Sequence, residues 1–340
     1  MRLRVMSVDH PTGDAVLMEF LVPPGGMQGF VPGQFVTVSV RVDGVVHRRA
    51  YSICSTPDVL PALRLAVRRV EGGTVSTYLH DRAKPGDMIE ARGPSGAFTE
   101  TPDPGQRRRF LMLAAGAGIT PMMSIIPALL QGEPDTEVDL VYGNRSEGSI
   151  LFREPIEQLA AAHPGRFRVH HVLSRPSDGW RGKRGRVDPA FVSSLIDAAQ
   201  EGEAHSDYML CGPEAMMQAL TEMLEGRGVP TSRIRRERFV TPRQTSPRPD
   251  APQRGVYHVR GTSWEVVIPA GKTLLQAGVA AGLPLRSSCA MGGCAACKVK
   301  LHRGAVHMDE PNALTARERE DGYVLACIAY ATEPVEVVSE

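Results

Sequence analysis

The sequence has no excess of charge of either sign. Its 39 basic and 38 acidic residues leave a net charge of +1 at pH 7, so it carries no polyanion-binding footprint and no nucleic-acid partner is expected. The opening Met1-Arg-Leu-Arg-Val-Met-Ser-Val-Asp9 has no apolar core of the kind a secretory signal needs. One uncharged run, Leu111 to Leu130, is twenty residues long, enough to cross a bilayer. It is interrupted by Gly116, Gly118, Pro121 and Pro127, and reads better as a buried strand, a glycine turn and a helix. We expect a cytoplasmic protein with no membrane partner. The rest of the composition, 42% hydrophobic and 23% charged, is that of ordinary globular protein, and 340 residues suit two or three domains.

Cysteine is sparse but concentrated. Three of the six lie in Cys289-Ala-Met-Gly-Gly-Cys-Ala-Ala-Cys297, spaced C-x₄-C-x₂-C, and Cys327 follows after 29 intervening residues. This asymmetric set of four matches the plant-type [2Fe–2S] spacing, in which each iron takes two thiolates beside the bridging sulfides. Gly292 and Gly293 fit it, because glycine lets backbone N–H groups turn toward sulfur. Structural zinc usually shows two short pairs instead. Disulfides require an oxidising compartment, of which the sequence gives no sign. Cys289, Cys294, Cys297 and Cys327 are the predicted metal ligands, and Cys54 is not one of them.

The character of the chain changes three times. Residues 1–102 show short alternating runs, Ala15–Val22, Gln34–Val40 and Leu63–Val70, separated by Gly/Pro turns; this predicts an antiparallel β-barrel or sandwich. Within it, Arg49-Ala-Tyr-Ser52 offers a guanidinium suited to phosphate and a ring suited to stacking on a flat heterocycle. Gly72-Gly-Thr-Val-Ser76 runs into a helix start, where free N–H groups favour a pyrophosphate. Residues 103–240 alternate strands and helices. Arg109–Ala115, Val138–Tyr142, Phe167–Leu173 and Asp207–Cys211 read as strands and Glu154–Ala162 and Pro213–Glu225 as helices, a doubly wound α/β domain with ligands at the strands' carboxyl ends. Gly116-Ala-Gly-Ile-Thr-Pro121 and Cys211-Gly-Pro213 stand at two of those ends. Residues 241–254, with four prolines and no apolar periodicity, read as a linker. Residues 255–340 read as a hairpin, a helix over Thr273–Ala281, the cysteine loop and closing strands. Their eight basic and nine acidic residues give no strong field for an electrostatic docking partner.

Taken together, these motifs resemble the ferredoxin–NADP⁺ reductase superfamily over nearly the whole chain. The domain order resembles the reductase components of bacterial oxygenases, of the phenylacetyl-CoA epoxidase, ketosteroid hydroxylase and phthalate dioxygenase types. The resemblance implies a flavin β-barrel, an α/β nucleotide domain and a C-terminal β-grasp ferredoxin domain. By it, Arg49 binds flavin phosphate, Tyr51 stacks on the isoalloxazine, Ser52 lies near N5, and Gly73, Thr74, Val75 and Ser76 hold the pyrophosphate. Gly116, Gly118, Thr120 and Pro121 line the pyridine-nucleotide site, Cys211, Gly212 and Pro213 flank the nicotinamide, and Phe239 stands where relatives place an aromatic near the flavin. Tyr51, Ser52 and Cys211 would be closest to the hydride. Gly73–Leu79 and Pro94-Ser-Gly-Ala-Phe98 resemble the FAD-binding branch, so FAD is expected rather than FMN. Ser174 stands where relatives strict for NADH often have an acid, and Arg175 follows it, which favours NADPH over NADH.

The implied activity is that of an NAD(P)H-dependent oxidoreductase. Nicotinamide gives two electrons as hydride, a [2Fe–2S] cluster takes one, and a flavin handles both regimes. The expected partner is a terminal oxygenase. The alternatives are a diaphorase serving another redox acceptor and a redox-sensing iron–sulfur protein; a sensor has no use for the Arg49–Ser52 and Cys211–Pro213 motifs. His80, His170 and His171 are read as structural.

Overall fold

The computed structural model describes residues 1–198, 207–239 and 247–339. It forms two compact units, Met1–Glu237 and Arg238–Glu340. No described helix is long and apolar enough to cross a membrane.

The first unit opens with β1 (Arg2–Thr12), β2 (Ala15–Leu21), β3 (Phe35–Val42), β4 (Val45–Ser52), β5 (Ala62–Arg68), α1 (Thr74–Asp81) and β6 (Met88–Ser95). The strands pair in the order β4-β3-β6-β1-β2-β5, and an antiparallel bridge between Ile53 and Leu65 joins the two ends. This is the predicted barrel. Alternation decides which side chains fill it: Val16, Met18 and Phe20 of β2 point inward with Val36, Val38, Leu63 and Leu65. Ala15 and Ala66, on the other face, belong to the core of the next domain; their small size lets that domain approach closely.

That domain comprises β7 (Arg109–Ala115), α2 (Ile119–Gly132), β8 (Glu137–Asn144), α3 (Arg153–Ala162), β9 (Phe167–Leu173), β10 (Lys183–Arg184), α4 (Pro189–Asp197), β11 (Asp207–Cys211), α5 (Glu214–Gly226) and β12 (Ile234–Glu237). The sheet is parallel, in the order β10-β9-β8-β7-β11-β12, so the order reverses at β7. Phe110, Met112 and Ala114 of β7 pack under α2, while Leu111 and Leu113 pack with residues of α4 and α5. Burial on both faces explains the continuous apolar run. The uncharged stretch from Leu111 to Leu130 is therefore strand, turn and helix.

Barrel and α/β domain are joined by polar contacts as well. Ser124 donates to the Ser55 carbonyl at 2.7 Å, and Ser55 Oγ accepts from the Arg64 N–H at 3.1 Å. Glu100, 5% exposed, pairs with both Arg108 and Arg235. Arg108 also pairs with the fully buried Glu133.

The second unit holds β13 (Gln253–Val259), β14 (Thr262–Ile268), α6 (Leu274–Ala280), β15 (Lys298–Arg303), β16 (Val306–Met308), α7 (Ala316–Glu320), β17 (Tyr323–Leu325), β18 (Ala329–Ala331) and β19 (Val335–Ser339). The mixed sheet β14-β13-β19-β15-β17 is accompanied by the pair β16-β18, and Thr273 caps α6 through a reciprocal bond with Gln276. The expected linker over 241–254 is described from residue 247 onward. There it differs from expectation: Gln253 already begins β13, and Arg248 pairs with the buried Asp309. Proline content hid this, because a single guanidinium fixes a segment that has no apolar periodicity.

Candidate functional site

Arg49, Tyr51 and Ser52 lie at the end of β4, where alternation puts Arg49 and Tyr51 on one face. Arg49 Nη1 donates to the Arg48 carbonyl at 2.6 Å. Burial pushes the Tyr51 phenol above its ordinary range, with Arg49 pulling the other way. Ser52 is buried. Helix α1 packs on β3, β4 and β5, which brings the second barrel motif to the first. Gly73 is its N-cap. A Cβ at Gly73 would lie 2.6 Å from Ser76 Oγ, and that oxygen accepts the Val70 N–H at 3.1 Å, so Ser76 shapes the turn. Val75 is a core side chain. What Thr74, Val75 and Ser76 offer a ligand is therefore the first-turn N–H groups, which no helical carbonyl can reach.

In the α/β domain two motifs converge because β7 and β11 are neighbours, with Ala114 opposite Cys211. A Cβ on Gly118 would stand 1.9 Å from the Cys211 carbonyl oxygen; only glycine permits this approach. Gly116 has φ of +55°, and its carbonyl accepts from the Tyr142 hydroxyl at 3.1 Å. Thr120 Oγ1 donates to the Ala117 carbonyl at 2.9 Å, and Pro121 is buried in α2. Gly212 packs against Ala115 and Met216, and Pro213 is the N-cap of α5. Cys211 is 1% exposed, and burial, helped by Glu237, raises its thiol well above the ordinary range. It is a neutral thiol. Ser174 and Arg175 follow β9 and are exposed; their N–H groups donate to the Asn144 and Arg145 carbonyls at 3.0 and 2.7 Å. Arg175 and the exposed Arg145 thus end adjacent strands. Phe239, just past β12, is 51% exposed.

The four cysteines of the second unit are brought together in two pairs. Cys289 and Cys294 act on one another, so that the Cys294 thiol is lowered and that of Cys289 raised. Cys297 and Cys327 pair in the same way, Cys297 lowered and Cys327 raised. Among the described residues no three metal-binding side chains converge on one point. Two pairs suit a two-iron cluster, in which each iron takes two thiolates, and do not suit a single zinc ion. Met291 N–H donates to Cys289 Sγ at 3.4 Å and Gly292 N–H to Cys327 Sγ at 3.1 Å. Gly292 has φ of +72° as expected of glycine, and Ala290 and Ala295 also take left-handed φ of 52° and 55°. Cys54 is buried, donates to the Arg64 carbonyl at 3.2 Å, and is pushed up to about 12 by burial; it stands apart in the barrel.

The first unit contains residues 3–99, which match the oxidoreductase FAD-binding domain model, and residues 112–222, which match the oxidoreductase NAD-binding domain model. Residues 257–332 match the 2Fe-2S iron-sulfur cluster binding domain model. The chain is 34% identical over 336 residues to a subunit of the 1,2-phenylacetyl-CoA epoxidase of Escherichia coli K12, covering 96% of this chain and 94% of that one. The chain belongs to the ferredoxin–NADP⁺ reductase superfamily. The reductase is also 31% identical over 346 residues to the ferredoxin reductase component of Mycobacterium tuberculosis 3-ketosteroid-9-alpha-monooxygenase, covering 96% and 92% of the two chains. The solved structure of phthalate dioxygenase reductase aligns with a TM-score of 0.64 at 25% identity, over 99% of the reductase and 97% of that chain. The residues present fit FAD, a nicotinamide dinucleotide and a [2Fe–2S] cluster: a glycine cradle at a helix N-terminus, a second at the sheet's switch point, and four paired thiols.

Sequence reasoning overlooked Tyr142, Ala290 and Ala295. Tyr142 sits inside a strand, two residues before its end at Asn144, and nothing in its neighbours marks its hydroxyl as a support for the Gly116 turn. Alanine carries no sequence signal for positive φ.

Proposed function

We propose that the reductase takes electrons from NADPH in preference to NADH and delivers them through FAD and its [2Fe–2S] cluster to a terminal oxygenase component. The observation that carries this is the joint presence, on one chain, of two dinucleotide-type glycine turns and four thiols paired two by two. Held by Arg49 and the first turn of α1, FAD would supply the chemistry that links two-electron hydride transfer to one-electron transfer to the cluster.

The chain's own residues bind, orient and exclude water. Arg49 and the first-turn N–H groups of α1 neutralise flavin phosphates, while Tyr51 and Ser52 bound the ring from β4. The Gly116–Gly118 turn, Thr120 and Pro121 seat the nucleotide, and Cys211, Gly212 and Pro213 form the wall next to the nicotinamide. A neutral, buried Cys211 thiol adds no charge there and leaves the hydride route dry. Ser174 presents no carboxylate against a 2′-phosphate, and Arg175 offers it a charge-assisted hydrogen bond. The similar proteins serve a phenylacetyl-CoA epoxidase and a 3-ketosteroid monooxygenase by name, which supports an oxygenase as acceptor.

Anaerobic titration with NADPH tests the reading. Flavin absorbance near 450 nm should bleach (~2 electrons per flavin), and a rhombic EPR signal of a reduced [2Fe–2S] centre should follow. Cluster absorbance without flavin bleaching would sink it in favour of a sensor.

A further inference from the structure

The segment entering the second unit carries a charge pair that electron delivery as described above does not use. Arg248 makes two parallel bonds to Asp309, Nη1 to Oδ1 at 2.7 Å and Nη2 to Oδ2 at 2.9 Å, and its guanidinium lies 3.8 Å from the centroid of the Tyr330 ring. The Pro249 carbonyl accepts from the Gly271 N–H at 2.9 Å, so the backbone is fixed as well. Asp309 is 6% exposed. Its N–H donates to the carbonyl of Ile328 at 3.3 Å, the residue after the fourth thiol, Cys327. Its carbonyl accepts from Asn312 Nδ2 at 3.0 Å, and His307 Nε2 stands 3.8 Å from Oδ1. Tyr330 lies three residues beyond Cys327 on β18, and the charges of Arg248, Asp309 and Cys327 all act on its phenol.

We propose that Arg248 neutralises Asp309 beside the turn that supplies Cys327, and that this balanced pair sets the reduction potential of the cluster. The proposal rests on the cluster assignment above. Reduction adds one negative charge to the cluster. A nearby uncompensated carboxylate opposes that charge, and an uncompensated guanidinium favours it. The pair is bidentate, with Asp309 buried and Arg248 partly exposed, so an Asp309 left without Arg248 is a charge that solvent screens weakly, and an Arg248 left without Asp309 is screened more. A residue from a segment that reads as linker therefore tunes the redox centre, without touching it.

The test is an EPR-monitored reductive titration of full-length protein with mediators, on wild type, Arg248→Gln, Asp309→Asn, the double variant and Arg248→Lys. At a fixed potential, Arg248→Gln should lower the ratio of reduced to oxidised cluster by roughly fivefold, and Asp309→Asn should raise it by a smaller factor, because the uncompensated Arg248 is partly exposed. The double variant should return close to wild type, and Arg248→Lys should restore most of the shift. Equal-sign shifts in the two single variants would mean a packing effect only and would overturn the proposal, as would unmoved potentials. If Arg248→Gln fails to retain its cluster, Asp309→Asn, which leaves the partly exposed Arg248 uncompensated, still has to shift upward, and its failure to do so is equally decisive. A wild type without any reducible [2Fe–2S] signal would instead bring down the cluster assignment itself.

Discussion

Two glycine-marked loops can be set side by side, the Gly116–Gly118 turn of the first unit and the Cys289–Cys297 loop of the second. In the first, protein backbone occupies the place a side chain would need: the Cβ missing from Gly118 would meet the Cys211 carbonyl at 1.9 Å. In the second, Ala290 and Ala295 keep their Cβ atoms while holding left-handed φ. The turn is shaped by packing of strand against strand and stands ready before any ligand arrives. The cluster loop stores local strain, which binding of a cluster by the four proposed thiol ligands would offset. One loop is dictated by its neighbours, the other by its cargo.

The comparison is broken most severely by removing that cargo. Cys289→Ser, Cys294→Ser, Cys297→Ser or Cys327→Ser should abolish or degrade the cluster's absorbance and EPR signal and lower the melting temperature of the second unit, while NADPH-driven ferricyanide reduction persists. Cys54→Ser should leave the signal intact; its loss there would show that the ligands are wrongly assigned.

Next in size is Gly118→Ala. A methyl group forced against the Cys211 carbonyl should cost about 1–3 kcal/mol of stability. It should also raise KM for NADPH at least severalfold, measured by thermal unfolding and steady-state dye reduction. An alanine variant with wild-type KM and melting temperature would mean the turn is softer than its packing says.

Arg175→Ala should be milder. It should weaken NADPH by about tenfold in KM, close to the ~1.4 kcal/mol of a single charge-assisted contact at an exposed site, and leave KM for NADH unchanged. Equal effects on the two nucleotides would remove Arg175 from the 2′-phosphate site.

The smallest effect sharpens the contrast from the other side. Ala290→Gly and Ala295→Gly relieve left-handed strain, and each should stabilise the second unit by roughly 1 kcal/mol, seen in chemical denaturation of the metal-free protein. Destabilisation by either would show that the loop's shape is held by something other than its ligands.

The sequence by itself determined the domain order and several strand bounds, and it marked the candidate ligand cysteines. Arg109–Ala115 and Asp207–Cys211 keep the bounds read from the sequence, because after a charged first residue each is an apolar run buried on both faces; Phe167–Leu173 keeps its bounds as well, although Arg168, His170 and His171 interrupt its apolar residues. Spacing alone marked Cys289, Cys294, Cys297 and Cys327, since a two-iron cluster constrains chain length between its ligands. Tertiary structure decided what depends on meetings between distant residues. The pairing of Cys297 with Cys327, the seat of Gly118 on Cys211, and the Tyr142 hydroxyl beneath Gly116 are long-range contacts that local propensity does not encode. The same holds for Arg248: its segment is rich in proline and poor in apolar residues, and only the buried carboxylate of Asp309, 61 residues away, makes it part of a folded unit.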